Sequence, residues 1–273
     1  GLKRLEYRGY DSAGIGFISR DNVELIKNKG KVSLLEERIQ SLNFSSFCGI
    51  GHTRWATHGI PNEINAHPHF NKEKTILIIH NGIVENYQTI QKSLQKNGYI
   101  FETETDSEIF AHLIDSFIKK GLPLINAVRL ALIEIEGTYG LAVIFKNEPG
   151  KIIVAKKGSP LVIGVGKKEN YIASDVNALL SHTKQVVYLE DGEIAEVTDS
   201  SFKVRNIEDN DIQKEIIELT MSLDEIDRGG YSTFMLKEIM EQPESVKNSM
   251  RGRLILDEGS AKLGGLEDAS ERL

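Results

Sequence analysis

Two hydrophobic periods alternate along the chain. They divide it into a strand-rich beginning, a helical middle and a second strand-rich stretch. Residues 1–8 carry the spacing of the last turns of an amphipathic helix. Ala13–Ser19 and Val23–Lys27 are apolar-rich runs split by Arg20-Asp21-Asn22, which predicts a β-hairpin. Val32, Leu35, Ile39 and Leu42 share one helical face. Phe47–Arg54 reads as a strand, a polar loop follows to Asn71, and Thr75–His80 reads as a buried strand. From Ile83 the period becomes helical. Ile83, Tyr87, Ile90 and Leu94 line one face, Ile109, Leu113 and Phe117 mark a helix over Asp106–Lys120, and Ile125, Val128, Leu132 and Ile135 mark another from Pro123.

Strands return at Thr138–Phe145, Lys151–Lys156, Leu161–Val165, Tyr171–Ser174, Val186–Glu190 and Glu193–Val197, with Asp191-Gly192 joining the last two as a hairpin turn. Residues 206–230 predict a surface helix plus loop, and Phe234–Met250 a helix kinked or broken at Pro243. Strands, then helices, then strands again predict an α+β sandwich rather than alternating βαβ units.

Composition narrows this picture. With 273 residues, 40% of them hydrophobic, the chain can bury the core of one large domain with extensions. A net charge of −7 argues against nucleic acid or an anionic membrane as partner. The single cysteine, Cys48, forms no disulfide within the chain, which predicts a reducing, cytoplasmic setting. Apolar runs such as Leu141–Phe145 are too short to span a bilayer, and the first residues lack a signal-peptide core. The chain opens without methionine, as a fragment or processed product would.

The candidate chemistry lies in His52-Thr53-Arg54-Trp55-Ala56-Thr57-His58-Gly59 and His80-Asn81-Gly82. Arg54, Thr57 and His58 follow a strand. A guanidinium there can hold a carboxylate through two hydrogen bonds while the hydroxyl and imidazole complete the set; a plain polar loop is the equal alternative. Asn81-Gly82 would be a hairpin signal if strands flanked it. The helical spacing after Ile83 instead predicts a strand-to-helix turn, whose amides and dipole suit an oxyanion hole. Asp106 has a competing account too, since Thr105 and Glu108 match a capping box; at a helix start it can also bind an ammonium group. Five of the seven histidines fall between residues 52 and 80, yet no zinc spacing accompanies them, so no metal is expected. Dinucleotide and phosphate-loop motifs fail, and no cofactor is expected.

Taken together these residues resemble the glutaminase half of the glutamine–fructose-6-phosphate aminotransferases (isomerising), the glucosamine-6-phosphate synthases. The resemblance rests on Arg4-Leu5-Glu6-Tyr7-Arg8-Gly9-Tyr10-Asp11-Ser12-Ala13-Gly14, on segments 52–59, 65–68, 80–86 and 103–106, on Gly158-Ser159-Pro160-Leu161 and Ile172-Ala173-Ser174-Asp175, and on Lys237-Glu238-Ile239 with Glu241-Gln242-Pro243. It covers nearly the whole chain. It implies a four-layer αββα N-terminal-nucleophile (Ntn) hydrolase fold. A terminal cysteine there attacks the glutamine side-chain amide, and the released ammonia passes to an isomerase domain that makes glucosamine 6-phosphate from fructose 6-phosphate.

Carried over by motif, Arg54 binds the α-carboxylate with Thr57 and His58, Asp106 the α-ammonium, and Asn81 and Gly82 form the oxyanion hole. Trp55 belongs to a closing loop, and Arg8 lies near the nucleophile. The resemblance also implies that the first strand and the nucleophile precede Gly1. Residues 1–205 are then the amidotransferase domain, 206–250 its end with an interdomain helix, and 251–273 a linker into the isomerase domain, in a parent that is a homodimer. On that account this segment is inactive alone. Cys48-Gly49-Ile50 imitates the nucleophile motif, but a mid-strand cysteine has no free α-amine and behaves as a small buried hydrophobe. The rival expectations are a non-catalytic glutamine-binding or regulatory module that has lost its nucleophile, and a metal-dependent hydrolase built on the histidines.

Overall fold

The computed structural model describes residues 1–19, 22–40, 46, 48–56, 59–219, 231–250, 254–255 and 260–261. The chain divides into two compact units, residues 1–219 and 220–273. The first begins with α1 (Leu2–Leu5) and a short 3₁₀ turn, then β1 (Ser12–Ile18), β2 (Val23–Lys29) and α2 (Val32–Gln40). β3 (Cys48–Arg54), β4 (His69–Phe70) and β5 (Ile76–Val84) precede the helices α3 (Tyr87–Lys96), α4 (Glu108–Ile118) and α5 (Leu124–Glu134). The strands β6 (Gly137–Phe145), β7 (Ile152–Lys157), β8 (Val162–Val165), β9 (Asn170–Ala173), β10 (Gln185–Tyr188), β11 (Glu193–Val197), β12 (Phe202–Asn206), β13 (Asp211–Ile212) and β14 (Ile217–Glu218) complete it.

Seven strands form one sheet in the order β13-β12-β11-β7-β6-β5-β4. Its centre is apolar on both faces, and the period of two sorts the side chains. Ile76, Ile78, Leu141, Val143, Ile153 and Ala155 pack with α3, α4 and α5 in one core. Their neighbours Leu77, Ala142, Ile144 and Val154 face the other way, into a second core with Ile18, Cys48, Ile50, Ile163 and Val187. Burial on both sides is why these strands read as unbroken apolar runs. The second core is closed by two smaller sheets, β2-β1-β3 and β14-β10-β8-β9. On the far side, α2 covers Ala13 and Ile15 through Val32 and Leu35, while Ala178 and Leu179 cover Val162 and Val186. The layers therefore run helix, sheet, sheet, helix, as the αββα expectation requires. All pairings between the named strands are antiparallel.

The structure corrects two of the sequence expectations. Asp191-Gly192 is not a hairpin turn, because β10 and β11 belong to different sheets. Val187 and Ala195 belong to the one core between the sheets, and the turn, with Gly192 at φ 85° and Glu193 N–H donating to Glu190 C=O, carries the chain from one layer to the next. Residues 206–219 hold the end of β12 and the short strands β13 and β14 rather than a surface helix. In the second unit, the helix Phe234–Met250 passes through Pro243 without ending, at the loss of one N–H donor. Arg20-Asp21, Leu42 and Phe47, and residues 220–230, lie outside the described residues.

Candidate active site

The period of two also builds the site. On β3 it places Cys48, Ile50, His52 and Arg54 on the buried inner face. On β5, Leu77 faces the core between the sheets, so Ile79 and Asn81 face it too, and His52 Nε2 meets Asn81 Oδ1 at 2.9 Å. His80 points the opposite way, against Phe110 of α4. Arg8, Arg54, Trp55, Asn81, Gly82 and Asp106 all line one cavity of about 570 Å³, whose walls also include the edge strands β3 and β9 of the two smaller sheets. Thr57 and His58 lie outside the described residues.

Arg54, the last residue of β3, is only 4% exposed. Its Nη2 donates to the Gly59 carbonyl at 3.2 Å. Burial lowers its pKa, and the nearby carboxylates of Asp11, Asp106 and Glu104 oppose that shift. Trp55, next in sequence, is 59% exposed at the cavity wall and meets Tyr10 edge to face at 5.7 Å. Arg8 donates to the Ser174 carbonyl at 3.4 Å and pairs with Asp175 at 3.7 Å.

Asp106 does not sit in the first turn of a helix, because α4 starts two residues later. Nor does the capping box form. Glu108 accepts instead from the N–H groups of Glu102 and Thr103, and Thr105 Oγ1 contacts His69 Nε2 at 3.1 Å. Asp106 is buried, with Oδ2 accepting from Val84 N–H at 2.8 Å and Oδ1 within 3.3 Å of Ser107 Oγ. Ser107 Oγ also lies 2.9 Å from His80 Nδ1, while His80 Nε2 faces the Thr138 carbonyl at 3.2 Å. Burial lowers the His80 pKa, while the Asp106 charge and the hydrogen bond to the Thr138 carbonyl oppose that shift.

Asn81 and Gly82 require a correction as well. They do not form a strand-to-helix turn but lie inside β5, opposite Gly140 and Tyr139 of β6. The helix dipole therefore plays no part, since α3 starts at Tyr87. What aims the Gly82 amide is the alternation of an antiparallel ladder. Lys146 N–H donates to Thr75 C=O and Glu85 N–H to Glu136 C=O, so odd-numbered residues of β5 bond towards β6. Even-numbered ones point to the other side, as Val84 does in donating to Asp106. Gly82 N–H is aimed to that side, beyond the short β4 ladder, which pairs only with Leu77 and Ile78. Glycine is needed there because φ is 139° and a Cβ would fall 2.1 Å from the Thr138 carbonyl oxygen.

Three residues beside the site make contacts that the sequence does not announce. Gly9 lets the chain pack on the Arg54–Trp55 peptide, where a Cβ would approach the Arg54 carbonyl carbon and Trp55 nitrogen to 2.8 Å. Asp11 Oδ2 accepts from Ala56 N–H at 2.8 Å. Both belong to the Tyr7–Asp11 block, which carried a resemblance but no chemistry until the fold set it beside Arg54. His52 is the third. Its ring is followed by His67 and His69, with centroids 4.2 and 4.4 Å apart in turn. Burial lowers the pKa of each, to about 4 for His52, and leaves them neutral. Among the described residues, no group of three or more His, Cys, Asp or Glu is placed to hold a metal ion. Cys48 lies in the core, its thiol pushed up to about 11 by burial, which is unsuited to a nucleophile.

A buried cation and a buried carboxylate in one cavity, beside the strand that carries Asn81 and Gly82, sit on the αββα scaffold of an Ntn-type glutamine amidotransferase. Residues 52–181 match the glutamine amidotransferase domain family. The fold is similar to that of the glutamine phosphoribosylpyrophosphate amidotransferase from B. subtilis solved with ADP and GMP. The TM-score is 0.62 at 25% identity, over 76% of this chain and 45% of that one. A second structure, described as the allosteric regulatory enzyme of purine biosynthesis, gives a TM-score of 0.63 at 26% identity with the same coverage.

Within that class the chain belongs with the glutamine–fructose-6-phosphate aminotransferases (isomerising), whose N-terminal glutaminase part it matches. It is 51% identical to the protein of that name from Chlorobaculum tepidum and 44% to that from Bacteroides thetaiotaomicron, each over 100% of this chain and 45% of the relative. Identity to the Pyrococcus horikoshii protein is 43%, over 93% of this chain and 43% of the relative. The chain thus spans less than half the length of these relatives.

Proposed function

We propose that this chain is the glutaminase half of a glutamine–fructose-6-phosphate aminotransferase, releasing ammonia from L-glutamine. The observation that carries this reading is the single cavity shared by buried Arg54, buried Asp106 and the Asn81-Gly82 segment. A glutamine α-carbon carries one negative and one positive group, which Arg54, with Thr57 and His58, and Asp106 take respectively. The side-chain amide then lies towards Asn81 and Gly82. A thiolate adds to the amide carbon, the carbonyl oxygen takes the charge, and the Asn81 Nδ2 and Gly82 N–H groups hold it. The C–N bond breaks as the nitrogen is protonated and leaves as ammonia. Water then cleaves the thioester to glutamate, restoring the thiol.

The thiol comes from outside the 273 residues, since Cys48 is buried and protonated. Arg8, tied to Ser174 and Asp175 at the cavity wall, lies near its place, and Trp55 closes over the substrate. In the whole protein the ammonia goes to an isomerase domain acting on fructose 6-phosphate, in a cytoplasmic homodimer. Residues 1–205 are the amidotransferase domain, 206–250 its end and interdomain helix, and 251–273 the linker. No helix among the described residues is long and apolar enough to cross a membrane.

The test is glutamine hydrolysis by the intact protein and its Asn81→Ala variant. The variant is expected to lose roughly 10²–10³ in kcat with little change in KM. An intact protein without glutaminase activity overturns the reading. The burial of the single cysteine favours a second one, a glutamine-binding module with no nucleophile. Coding DNA upstream of Gly1 separates the two, because an in-frame start followed by Cys-Gly-Ile supports the enzyme and a stop codon supports the module.

A further inference from the structure

His52 lies between Ile50 and Arg54 on the inner face of β3 and has no part in the clamp for the zwitterion. His52 is 8% exposed; its side-chain hydrogen bond joins Nε2 to Asn81 Oδ1 at 2.9 Å, and the His80 backbone also hydrogen-bonds the ring. Nδ1 is buried with no partner among the described residues. An apolar side chain would fill this space without an orphaned nitrogen, so packing alone does not account for a histidine here. The hydrogen bond does.

An asparagine amide presents either an acceptor or two donors, depending on which way it is turned. Only with Nδ2 towards the cavity can Asn81 hold a developing oxyanion; turned over, Oδ1 would repel it. We propose that His52 is a positioning residue for the oxyanion hole, its Nε2–H fixing the Asn81 amide with Nδ2 towards the cavity. This rests on the glutaminase reading and adds to it the group that sets the polarity of the hole.

The ring carries a single proton, because burial holds its pKa at about 4. With that proton on Nε2, the orphaned Nδ1 is an unpaired acceptor. The other tautomer would bury an unpaired N–H, the costlier arrangement, and would draw Nδ2 of Asn81 to the ring and turn Oδ1 towards the cavity. His67, packed on the ring at 4.2 Å and itself neutral, keeps the imidazole in place.

The experiment uses the intact protein with His52→Phe, which keeps the bulk and removes the donor, and His52→Gln, whose amide nitrogen stands near the position of Nε2. Glutaminase kcat is expected to fall roughly 10–100-fold in His52→Phe, short of deleting a donor outright, with KM for glutamine within about twofold. His52→Gln is expected to recover kcat to within about fivefold of the parent, which a merely space-filling role would not produce. Long-range ¹H–¹⁵N spectra of the unsubstituted protein should show the Nε2–H tautomer at His52, whether or not the protein is active.

Unchanged kcat in folded His52→Phe, equal losses in the two folded variants, or an Nδ1–H tautomer overturns the proposal. If His52→Phe does not fold, His52→Gln and the tautomer decide. A parent without glutaminase activity defeats the functional reading instead, and the tautomer alone then decides whether His52 sets the amide.

Discussion

Arg54 and Asp106 are buried charges of opposite sign on the wall of one cavity, so each suits a different end of a zwitterion. Arg54 brings a planar fork already held on one side by the Gly59 carbonyl, which leaves the group oriented before substrate arrives. Arg54→Lys keeps the charge and loses the fork. Losing a charged hydrogen bond worth about 1.5–3 kcal/mol should raise KM for glutamine roughly 10–100-fold, with kcat much less affected. Steady-state glutaminase kinetics of the intact protein measure this, and an unchanged KM would remove Arg54 from the clamp. The sequence made Arg54, Asp106, Asn81 and Gly82 candidates because their residue types suit the chemistry. It could not reveal His52, since a histidine in an apolar strand declares nothing about what stands opposite it in another sheet.

At the scale of elements, β5 decides the geometry. Its run past His80 fits a helical period through Ile83, Tyr87, Ile90 and Leu94, yet only Tyr87 onwards is helical. What holds residues 81–84 in a strand is β6, whose partners Gly137 to Gly140 are more than fifty residues away in sequence. The oxyanion role expected of Asn81 and Gly82 thus rested on a helix start that the structure places five residues further on. The same limit explains Asp191-Gly192 and β13 and β14. A turn signal does not say which sheet receives the next strand, and a strand of two residues has no period to detect. The ladder gives its own test in Gly82→Ala. A Cβ there would press on the Thr138 carbonyl from a backbone with φ 139°. The conformation alone costs about 1–3 kcal/mol, so the thermal midpoint should drop and glutaminase activity should fall with it. A variant as stable and active as its parent would show that β5 and β6 can part at this point without consequence.

For the first unit as a whole, the interior between β3, β5 and α4 holds neutral histidines, and this sets a pH dependence. Burial depresses the pKa of His52, His67, His69 and His80 below the ordinary 6.5. For His52, hydrogen bonds to Asn81 and to the His80 backbone oppose the shift, as the Asp106 charge and a hydrogen bond to Thr138 do for His80. Neighbouring cations and rings, among them Lys27 and Arg54, deepen it for His67 and His69. The unfolded chain binds protons at these sites near pH 6.5 while the folded chain refuses them until lower pH, so stability is full above 6.5 and drains as pH falls towards 4. His52 alone, at about 4, accounts for on the order of 3 kcal/mol over that interval. Denaturant midpoints of the intact protein should hold steady from pH 8 to 7 and fall between about pH 6.5 and 4, with little sensitivity to salt because desolvation rather than surface pairing is the cause. Glu108 does not add to the early part of the fall. Burial raises its pKa, but hydrogen bonds from His112, Glu102 and Thr103 outweigh that and hold it below the ordinary carboxylate value, so its contribution goes only at lower pH. A flat profile down to pH 5 would mean that these rings reach water or a partner in solution, and the neutral His52 that orients Asn81 would lose its physical basis.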